Sequence, residues 1–477
     1  GVWIVVFDFF LCLLATFLLT IPALFLPVAG NRKYNQNKIL MSVHFLTLSV
    51  LYSFFVFISG SPFFGVMIAS FLFYIFSIVS CVKYKILKEP VYFSDVVSLG
   101  VLLKNPSFFV FSVPLIGWVV LAGLILCIPL SLWYYFTNLL DIRFCALGTI
   151  VIACFIGKKI PTYLDISAPD WERDVNRLGV LGMLAVYWML WKKEPAPPPV
   201  LANKAKAGLD IVLVIQCESY ADPSIFREAA AHTVGLPFLE KAKTRAYAQG
   251  ALLVSGFGAY TMRTEYGVMF GRTEAELGFC RYDPFLTAQR DKTYALSYQM
   301  QAAGYQTVFM HPHSLEFYGR NQLMPIIGFD TVDNCSTVQH APPPGEYMSD
   351  TVLAEAIINR LTTATTPLFL YAVTMENHAP WPGSPQEALQ HYLRHLQSSD
   401  AMLGRLMTWL EEQDKSALLV FFGDHRPSIQ GIAYQDSERS TPYVAVRFPE
   451  KEETALASAL TPAELHHLIR SLSLSVV

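Results

Sequence analysis

The sequence predicts a bundle of about five membrane-spanning helices followed by an α/β domain with a mainly parallel sheet. Three observations carry this. The 477 residues are 53% hydrophobic and only 15% charged, and nearly all of the apolar excess precedes residue 160. A proline-rich break, KKEPAPPPVLANKAKAG at 192–208, separates that half from a stretch of ordinary soluble composition. Beyond the break, short apolar runs alternate with segments of helical period.

Four apolar stretches, about 2–29, 39–59, 63–82 and 108–136, reach the roughly 20 residues that a spanning helix needs. A fifth, 142–157, is shorter and reads as a span or a re-entrant segment. The first is too long for a cleaved signal peptide and carries Asp8 too early. The domains expected are therefore 1–160 in the membrane, 161–207 as a juxtamembrane helix and linker, and 208–477 as the catalytic domain. The prolines make the linker stiff and extended. Basic loops at 31–38 and 83–90, combined with five spans, would place the soluble half in the cytoplasm. A sixth span at 178–191 would reverse that, but it has only 14 residues. It reads as an amphipathic helix on the membrane surface.

In the soluble half the runs IVLVIQ (211–216), QTVFM (306–310), LFLYAV (368–373) and ALLVFF (417–422) have the length and composition of strands. Helical patterns fill 286–303, 350–363 and 388–413. Continuous apolar strands separated by helices predict a parallel sheet covered on both faces. Each strand ends in a polar cluster: CESY, HPHSLEFYGR, TMENHAPW and GDHRP. In open α/β sheets ligands bind at the carboxyl ends of the strands, so the four clusters are expected to converge.

Collected there, Glu218, Asp424 and His425 suit a divalent metal, with His311, His313 and His378 nearby. The oxygen-rich set favours Mn²⁺ or Mg²⁺, and the imidazole admits Zn²⁺. Taken singly each residue is weak evidence, since a lone glutamate after a strand is usually a surface or capping group. The turn SGFGAYTMRTEYGVMFG (255–271) starts a helix near Thr261. A hydroxyl at that position meets the helix's positive end, and a metal would lower its pKa further. Thr261 is thus either a nucleophile or a plain helix cap. Of the eight cysteines only Cys217, Cys280 and Cys335 lie in the soluble half. Their spacing fits no metal motif and implies no disulfide framework; Cys280–Cys335 is the one pairing to test. A net charge of −3 argues against nucleic acid as a partner.

Together QCESY, TMRTEYGVMFG, NHAPW and FFGDH, with VYFSDV at 91–96, resemble the lipoteichoic acid synthase family. These are membrane phosphoglycerol transferases of the alkaline phosphatase/sulfatase superfamily. The resemblance implies that Glu218, Thr261, Asp424 and His425 hold one metal, usually manganese. It implies that Thr261 forms a glycerophospho-threonine. Thr261 is preferred because the family's threonine precedes a glutamate by four, here Glu265; Thr264 is the rival. Arg320 and His378 match an arginine and a histidine that grip the phosphoglycerol, and His311 matches another site histidine. The chain departs from the pattern at Tyr318, where the family has tryptophan, and at His313, where it has asparagine. Arg263 lies inside the nucleophile turn, and Arg426 with Pro427 follow the Asp-His pair. His311, His313, Tyr318 and Arg263 are accordingly expected on the substrate side. Arg426 is either a surface residue or a second phosphate contact.

The function implied is metal-dependent transfer of glycerophosphate from a phospholipid, phosphatidylglycerol, to a glycan or polyglycerol phosphate acceptor. Such acceptors lie outside the cytoplasmic membrane. They place the protein in the bacterial cytoplasmic (inner) membrane with its catalytic domain outside, against the loop charges. The alternatives are a phosphoethanolamine transferase of the same superfamily and a non-catalytic lipid-binding regulator. The former typically carry several disulfides, which three cysteines cannot supply.

Overall fold

A computed structural model of the chain describes residues 1–26, 37–104, 115–201, 204–451 and 456–476. The ends of two expected spans (27–29 and 108–114), most of the basic loop at 31–38 and part of the linker at 202–203 lie outside the described residues. The chain divides into two compact units, Gly1–Glu194 and Pro195–Val477.

The first unit is helical: α1 (Val2–Thr20), α2 (Asn37–Ser59), α3 (Pro62–Leu87), α4 (Phe93–Lys104), α5 (Leu115–Tyr135), α6 (Leu140–Gly157), α7 (Ile160–Tyr163) and α8 (Trp171–Lys192). Among the described residues five segments are long and apolar enough to cross a membrane: Val2–Phe25, Lys38–Ser59, Pro62–Leu87, Gly117–Tyr135 and Leu140–Tyr163. The short stretch at 142–157 thus lies within a full-length apolar helix. The segment 178–191 is not among the five. It sits in α8, and its small residues let that helix approach α2. A Cβ on Gly182 would come 2.9 Å from the Val43 side chain, and Gly179 takes a left-handed φ of 71° at a kink. The expected surface helix is therefore packed against the bundle along one face. That face buries Asp174, whose carboxylate receives Arg177 at 2.8 Å and the Tyr187 hydroxyl at 2.5 Å.

Among the described residues the second unit holds ten strands: β1 (Ala205–Ala207), β2 (Ile211–Cys217), β3 (Ala248–Leu252), β4 (Gln306–Met310), β5 (Thr331–Asp333), β6 (Leu368–Val373), β7 (Ala417–Gly423), β8 (Thr441–Phe448), β9 (Leu456–Ala457) and β10 (Leu474–Val476). Its helices are α9 (Ala229–His232), α10 (Pro237–Arg245), α11 (Thr261–Phe270), α12 (Glu274–Leu277), α13 (Leu296–Ala302), α14 (Arg320–Ile326), α15 (Asp350–Thr363), α16 (Pro385–Glu411) and α17 (Pro462–Ser473). β1 and β10 form a small antiparallel pair. The main sheet runs β5-β4-β6-β2-β7-β8-β3-β9. β5, β4, β6, β2 and β7 are parallel, and β8 is antiparallel to both β7 and β3.

All four expected strands are present, and the central ones are buried on both faces. Each fully buried Val, Leu, Ile or Phe contributes about 1.5–3 kcal/mol by leaving water. The pattern expected for one helix over 286–303 resolves into short 3-10 turns and α13. α16 carries a capping box, in which Ser384 and Glu387 satisfy each other's backbone N–H groups.

Candidate active site and metal centre

The carboxyl ends of β2, β4, β6 and β7 converge as expected. Glu218 follows β2, His311 follows β4, His378 lies on the loop after β6, and Asp424 and His425 follow β7. The register pairs Cys217 with Gly423, so Glu218 and Asp424 are neighbours across a parallel pair. Gly423 is needed for a steric reason, not for the sharp turn its position suggests. A Cβ there would lie 2.0 Å from the carbonyl oxygen of Tyr220.

Glu218, Asp424 and His425 are all buried, and their ligand-type atoms lie within 4.8 Å of one another. His425 Nε2 is 3.3 Å from Glu218 Oε1 and 3.5 Å from Asp424 Oδ2. Its Nδ1 donates to the Arg426 carbonyl at 3.0 Å, which turns Nε2 toward the carboxylates; the proton Nε2 carries there is the one a metal would displace. Backbone groups steady the acids. Ser219 and His425 N–H donate to Asp424 Oδ1 at 2.9 and 2.8 Å, and the Glu218 N–H donates to the Thr374 hydroxyl at 2.9 Å.

Two carboxylates packed this closely away from water call for a cation. Burial and the Glu218 charge push Asp424 well above the usual carboxylate range. Burial would lower His425, but Asp424 and Glu218 outweigh it and hold the imidazole protonated above its ordinary value. Burial would likewise raise Glu218, but His425 and then His378 bring it below the ordinary value. The set thus recruits positive charge, and its O,O,N chemistry suits a divalent metal held by Glu218, Asp424, His425 and the adjoining Thr261.

Thr261 opens α11, as the turn predicted. Its hydroxyl donates to Asp424 Oδ2 at 3.0 Å. The preceding residue, Tyr260, is in the left-handed region (φ 68°) and caps the helix that starts at Thr261. That geometry costs a non-glycine residue on the order of 1–3 kcal/mol. It is held by Arg263, whose guanidinium lies 3.8 Å over the Tyr260 ring. The Gly258 N–H donates to the Arg426 carbonyl at 2.9 Å, tying the turn before α11 to the loop after β7. Thr264 faces the same loop differently: its hydroxyl donates to the backbone carbonyl of Asp424 at 2.7 Å.

Two expected substrate contacts, Arg320 and Arg263, and the undecided Arg426 have other partners here. Arg320 places Nε and Nη2 on the two oxygens of Glu265 at 3.1 and 2.6 Å. Glu265 is in turn held by Gln216 at 2.9 Å, and Gln216 accepts the Tyr371 hydroxyl at 2.5 Å. Arg263 Nε donates to the Tyr282 carbonyl at 3.0 Å. Arg426, read as either a surface residue or a second phosphate contact, is buried, which removes the first; it donates to the Ser440 carbonyl at 2.7 Å and to Asp436 at 2.9 Å, and so fastens the loop after β7.

The remaining groups form one wall. His311 donates Nδ1–H to the Val373 carbonyl at 2.9 Å. The rings of His311 and His313 lie 6.2 Å apart, His313 and Tyr347 5.6 Å, and Tyr347 and His378 6.0 Å. Burial, with Arg320 and His313 adding, keeps His311 well below the ordinary histidine value; burial, then His378 and Arg320, pulls His313 down to about 4. His311 and His313 thus face this wall as neutral imidazoles. Tyr318 (φ 60°) is half-buried beside them, and its hydroxyl interacts with Thr261. Sequence reasoning missed Tyr347, Thr374 and Gln216, which carry no motif of their own; only the position of the last two at strand ends could have pointed to them. Cys280 and Cys335 are both free thiols, so the bridge between them does not form.

The sulfatase family's sequence profile matches residues 210–457, just over half of the chain and nearly all of the strand-bearing unit. A capsular polysaccharide biosynthesis protein, RkpI, of Rhizobium meliloti (strain 1021) is 25% identical over 460 residues, covering 88% of this chain and 85% of that one. A putative cyclic beta-1,2-glucan modification protein of the same organism is 24% identical over 250 residues, 49% of this chain and 38% of its own. Among solved structures, the integral membrane lipooligosaccharide phosphoethanolamine transferase A of Neisseria meningitidis superposes with a TM-score of 0.57 at 12% identity, over 98% of this chain and 95% of that one. That likeness extends the shared fold to the helical half. With five apolar helices preceding a mostly parallel sheet and the profile match over that sheet, the chain belongs to the sulfatase family.

Proposed function

We propose that this protein is a metal-dependent phosphoglycerol transferase. On this reading it moves glycerophosphate from a phospholipid, phosphatidylglycerol, through Thr261 to the hydroxyl of an extracytoplasmic acceptor. The observation that carries the reading is the Thr261 hydroxyl, placed at a helix start and 3.0 Å from a carboxylate of the buried Glu218–Asp424–His425 cluster. Five apolar helices on the same chain suit a donor and a leaving group that are both lipids.

Thr261 Oγ forms a bond to phosphorus as the bond from phosphorus to the diacylglycerol oxygen breaks. The threonine proton leaves along the hydrogen bond to Asp424. His378, in its protonated form, delivers a proton to the departing diacylglycerol oxygen. In the second half an acceptor hydroxyl bonds to phosphorus, His378 takes its proton, and Thr261 recovers its own. A divalent cation held by Glu218, Thr261, Asp424 and His425, manganese on this reading, supplies charge stabilisation to the phosphoryl oxygens. His311, His313 and Tyr318 line the head-group side as neutral hydrogen-bonding groups. Arg320 adds positive field there while it holds Glu265.

The full-length likeness to a phosphoethanolamine transferase keeps that head group as the second reading. Incubating the purified protein with manganese and either phosphatidylglycerol or phosphatidylethanolamine, and measuring diacylglycerol release, separates the two. Release from phosphatidylglycerol alone supports the proposal. Release from phosphatidylethanolamine alone replaces it.

A further inference from the structure

His378 stands on the loop after β6, and that loop is fastened to α16. Glu376, two residues before it, accepts His395 Nδ1–H at 2.6 Å, the Ser398 hydroxyl at 2.6 Å and the Asp350 N–H at 2.8 Å. Asn377 donates to the Tyr392 carbonyl at 3.3 Å and accepts the Trp381 indole N–H at 2.9 Å. His378 Nδ1 donates to the Ala379 carbonyl at 2.5 Å, since a carbonyl can only accept. Nε2 is therefore the atom that exchanges protons with substrate on the reading above. The fastened backbone fixes where the side chain starts, but the ring can still turn about its own torsions.

A second loop, 334–349, brings Tyr347 against that ring. The ring centroids of Tyr347 and His378 lie 6.0 Å apart at 79°, and Tyr347 also meets His313 at 5.6 Å and 77°. Both are edge-to-face pairs, an arrangement that aromatic quadrupoles favour. Tyr347 is itself held from both sides along the chain. Glu346 accepts Arg394 Nη2 at 2.6 Å and lies 3.9 Å from His395 Nε2, while Met348 is buried. His395 thus stands between Glu376 and Glu346, so one residue of α16 ties the His378 loop to the Tyr347 loop. Burial, then the Glu218 charge, raises the Tyr347 phenol above its ordinary value, and Glu218 in turn feels His378. Glu218 belongs with Asp424, which accepts the Thr261 hydroxyl, so Tyr347 and His378 face the nucleophile's own cluster.

We infer that Tyr347 is a positioning residue for His378: its ring holds the imidazole at the angle from which Nε2 reaches the reacting oxygens. The inference rests on the transferase reading above, which gives His378 the proton. Tyr347 acts by the shape of its ring and not by its hydroxyl, and the Glu346–His395–Glu376 connection keeps the two loops in register. Without the tyrosine ring the imidazole gains rotamers that cannot donate to the departing diacylglycerol oxygen. A misplaced acid loses much of the rate that a positioned one supplies.

The test uses the full chain in detergent micelles with manganese and compares two phosphoglycerol donors. Phosphatidylglycerol has an alkoxide leaving group that needs a proton; the 4-nitrophenyl ester of glycerol phosphate has a phenolate that does not. Adduct formation on Thr261 is timed for both. Tyr347→Leu is expected to slow the reaction of phosphatidylglycerol about tenfold or more, and that of the nitrophenyl ester less than about twofold. Tyr347→Phe, which keeps the ring, stays within about twofold of the parent on both. In a His378→Ala protein Tyr347→Leu adds no further loss, a comparison that holds even where the substitution lowers stability. Equal slowing on both donors overturns the inference, as does a loss in Tyr347→Phe equal to that in Tyr347→Leu. So does an undiminished effect of Tyr347→Leu without His378, or a Tyr347→Leu protein as fast as the parent. Failure of the donor reading is seen separately, as the absence of any adduct from phosphatidylglycerol on the parent protein.

Discussion

Replacing Arg320 by alanine strips a buried carboxylate of its cation. Glu265 is 0% exposed and Arg320 2%. The pair is bidentate, at 2.6 and 3.1 Å, and after the substitution Glu265 keeps the single Gln216 donor at 2.9 Å. Removing one partner of such a pair costs about 3–5 kcal/mol, a large part of the roughly 5–15 kcal/mol that stabilises a domain. At about 2–4 °C per kcal/mol for domains of 150–250 residues, the melting temperature falls by roughly 6–20 °C. The assay is thermal unfolding of the full chain in micelles, followed by circular dichroism. Pairing Arg320→Ala with Glu265→Gln removes the orphaned charge and recovers most of the loss. A single Arg320→Ala that shifts the midpoint by less than about 2 °C refutes the reasoning. Arg320 would then owe its place to the substrate and not to Glu265.

Three further outcomes follow from the same geometry. Asp424→Ala removes a central ligand-type group, so manganese stoichiometry measured by plasma mass spectrometry should fall from about one toward zero; retention of the full complement would dissolve the site. Burial, with His467 adding, depresses His466 to about 3 in the fold, below its unfolded value near 6.5. The unfolded chain therefore binds the extra proton, and stability that is complete above about pH 6.5 is lost as pH falls toward 3, by about 2 kcal/mol at pH 5; His466→Gln should remove that part of the change in melting temperature between pH 7 and 5, and an unchanged slope would contradict it. A reporter that matures only outside the cytoplasm, joined after Val477, should be active, and activity of a cytoplasm-only reporter at that joint would reverse the proposed orientation.

Much of this was legible because the strands of a parallel sheet are buried on both faces. IVLVIQ, LFLYAV and ALLVFF could be read as strands without any partner in view, and their ends point to the site by topology alone. Glu218, Asp424 and His425 were found that way. β3 and β8 were harder: AQGAL and TPYVAVRF carry Gly250, Pro442 and Arg447, because they pair toward the side of the sheet where β8 turns antiparallel. Side-chain partners could not be read at all. That Arg320 meets Glu265 depends on a contact across 55 residues, and that Arg426 fastens its own loop depends on Asp436 and Ser440. Nor could the role of Gly423 be read from its position, since the atom it accommodates belongs to Tyr220.

The nucleophile is the central claim, and intact-peptide mass spectrometry tests it most directly. Purified protein is mixed with manganese and phosphatidylglycerol, quenched in acid and digested. Thr264 donates to the Asp424 carbonyl and so supports the loop, and losing one such hydroxyl costs about 1–2 kcal/mol, roughly five- to thirtyfold in rate. The account predicts a glycerophosphate adduct, on the order of 150 Da, on Thr261 in the parent and in Thr264→Ala, and none in Thr261→Ala. An adduct that persists in Thr261→Ala and disappears in Thr264→Ala would contradict it.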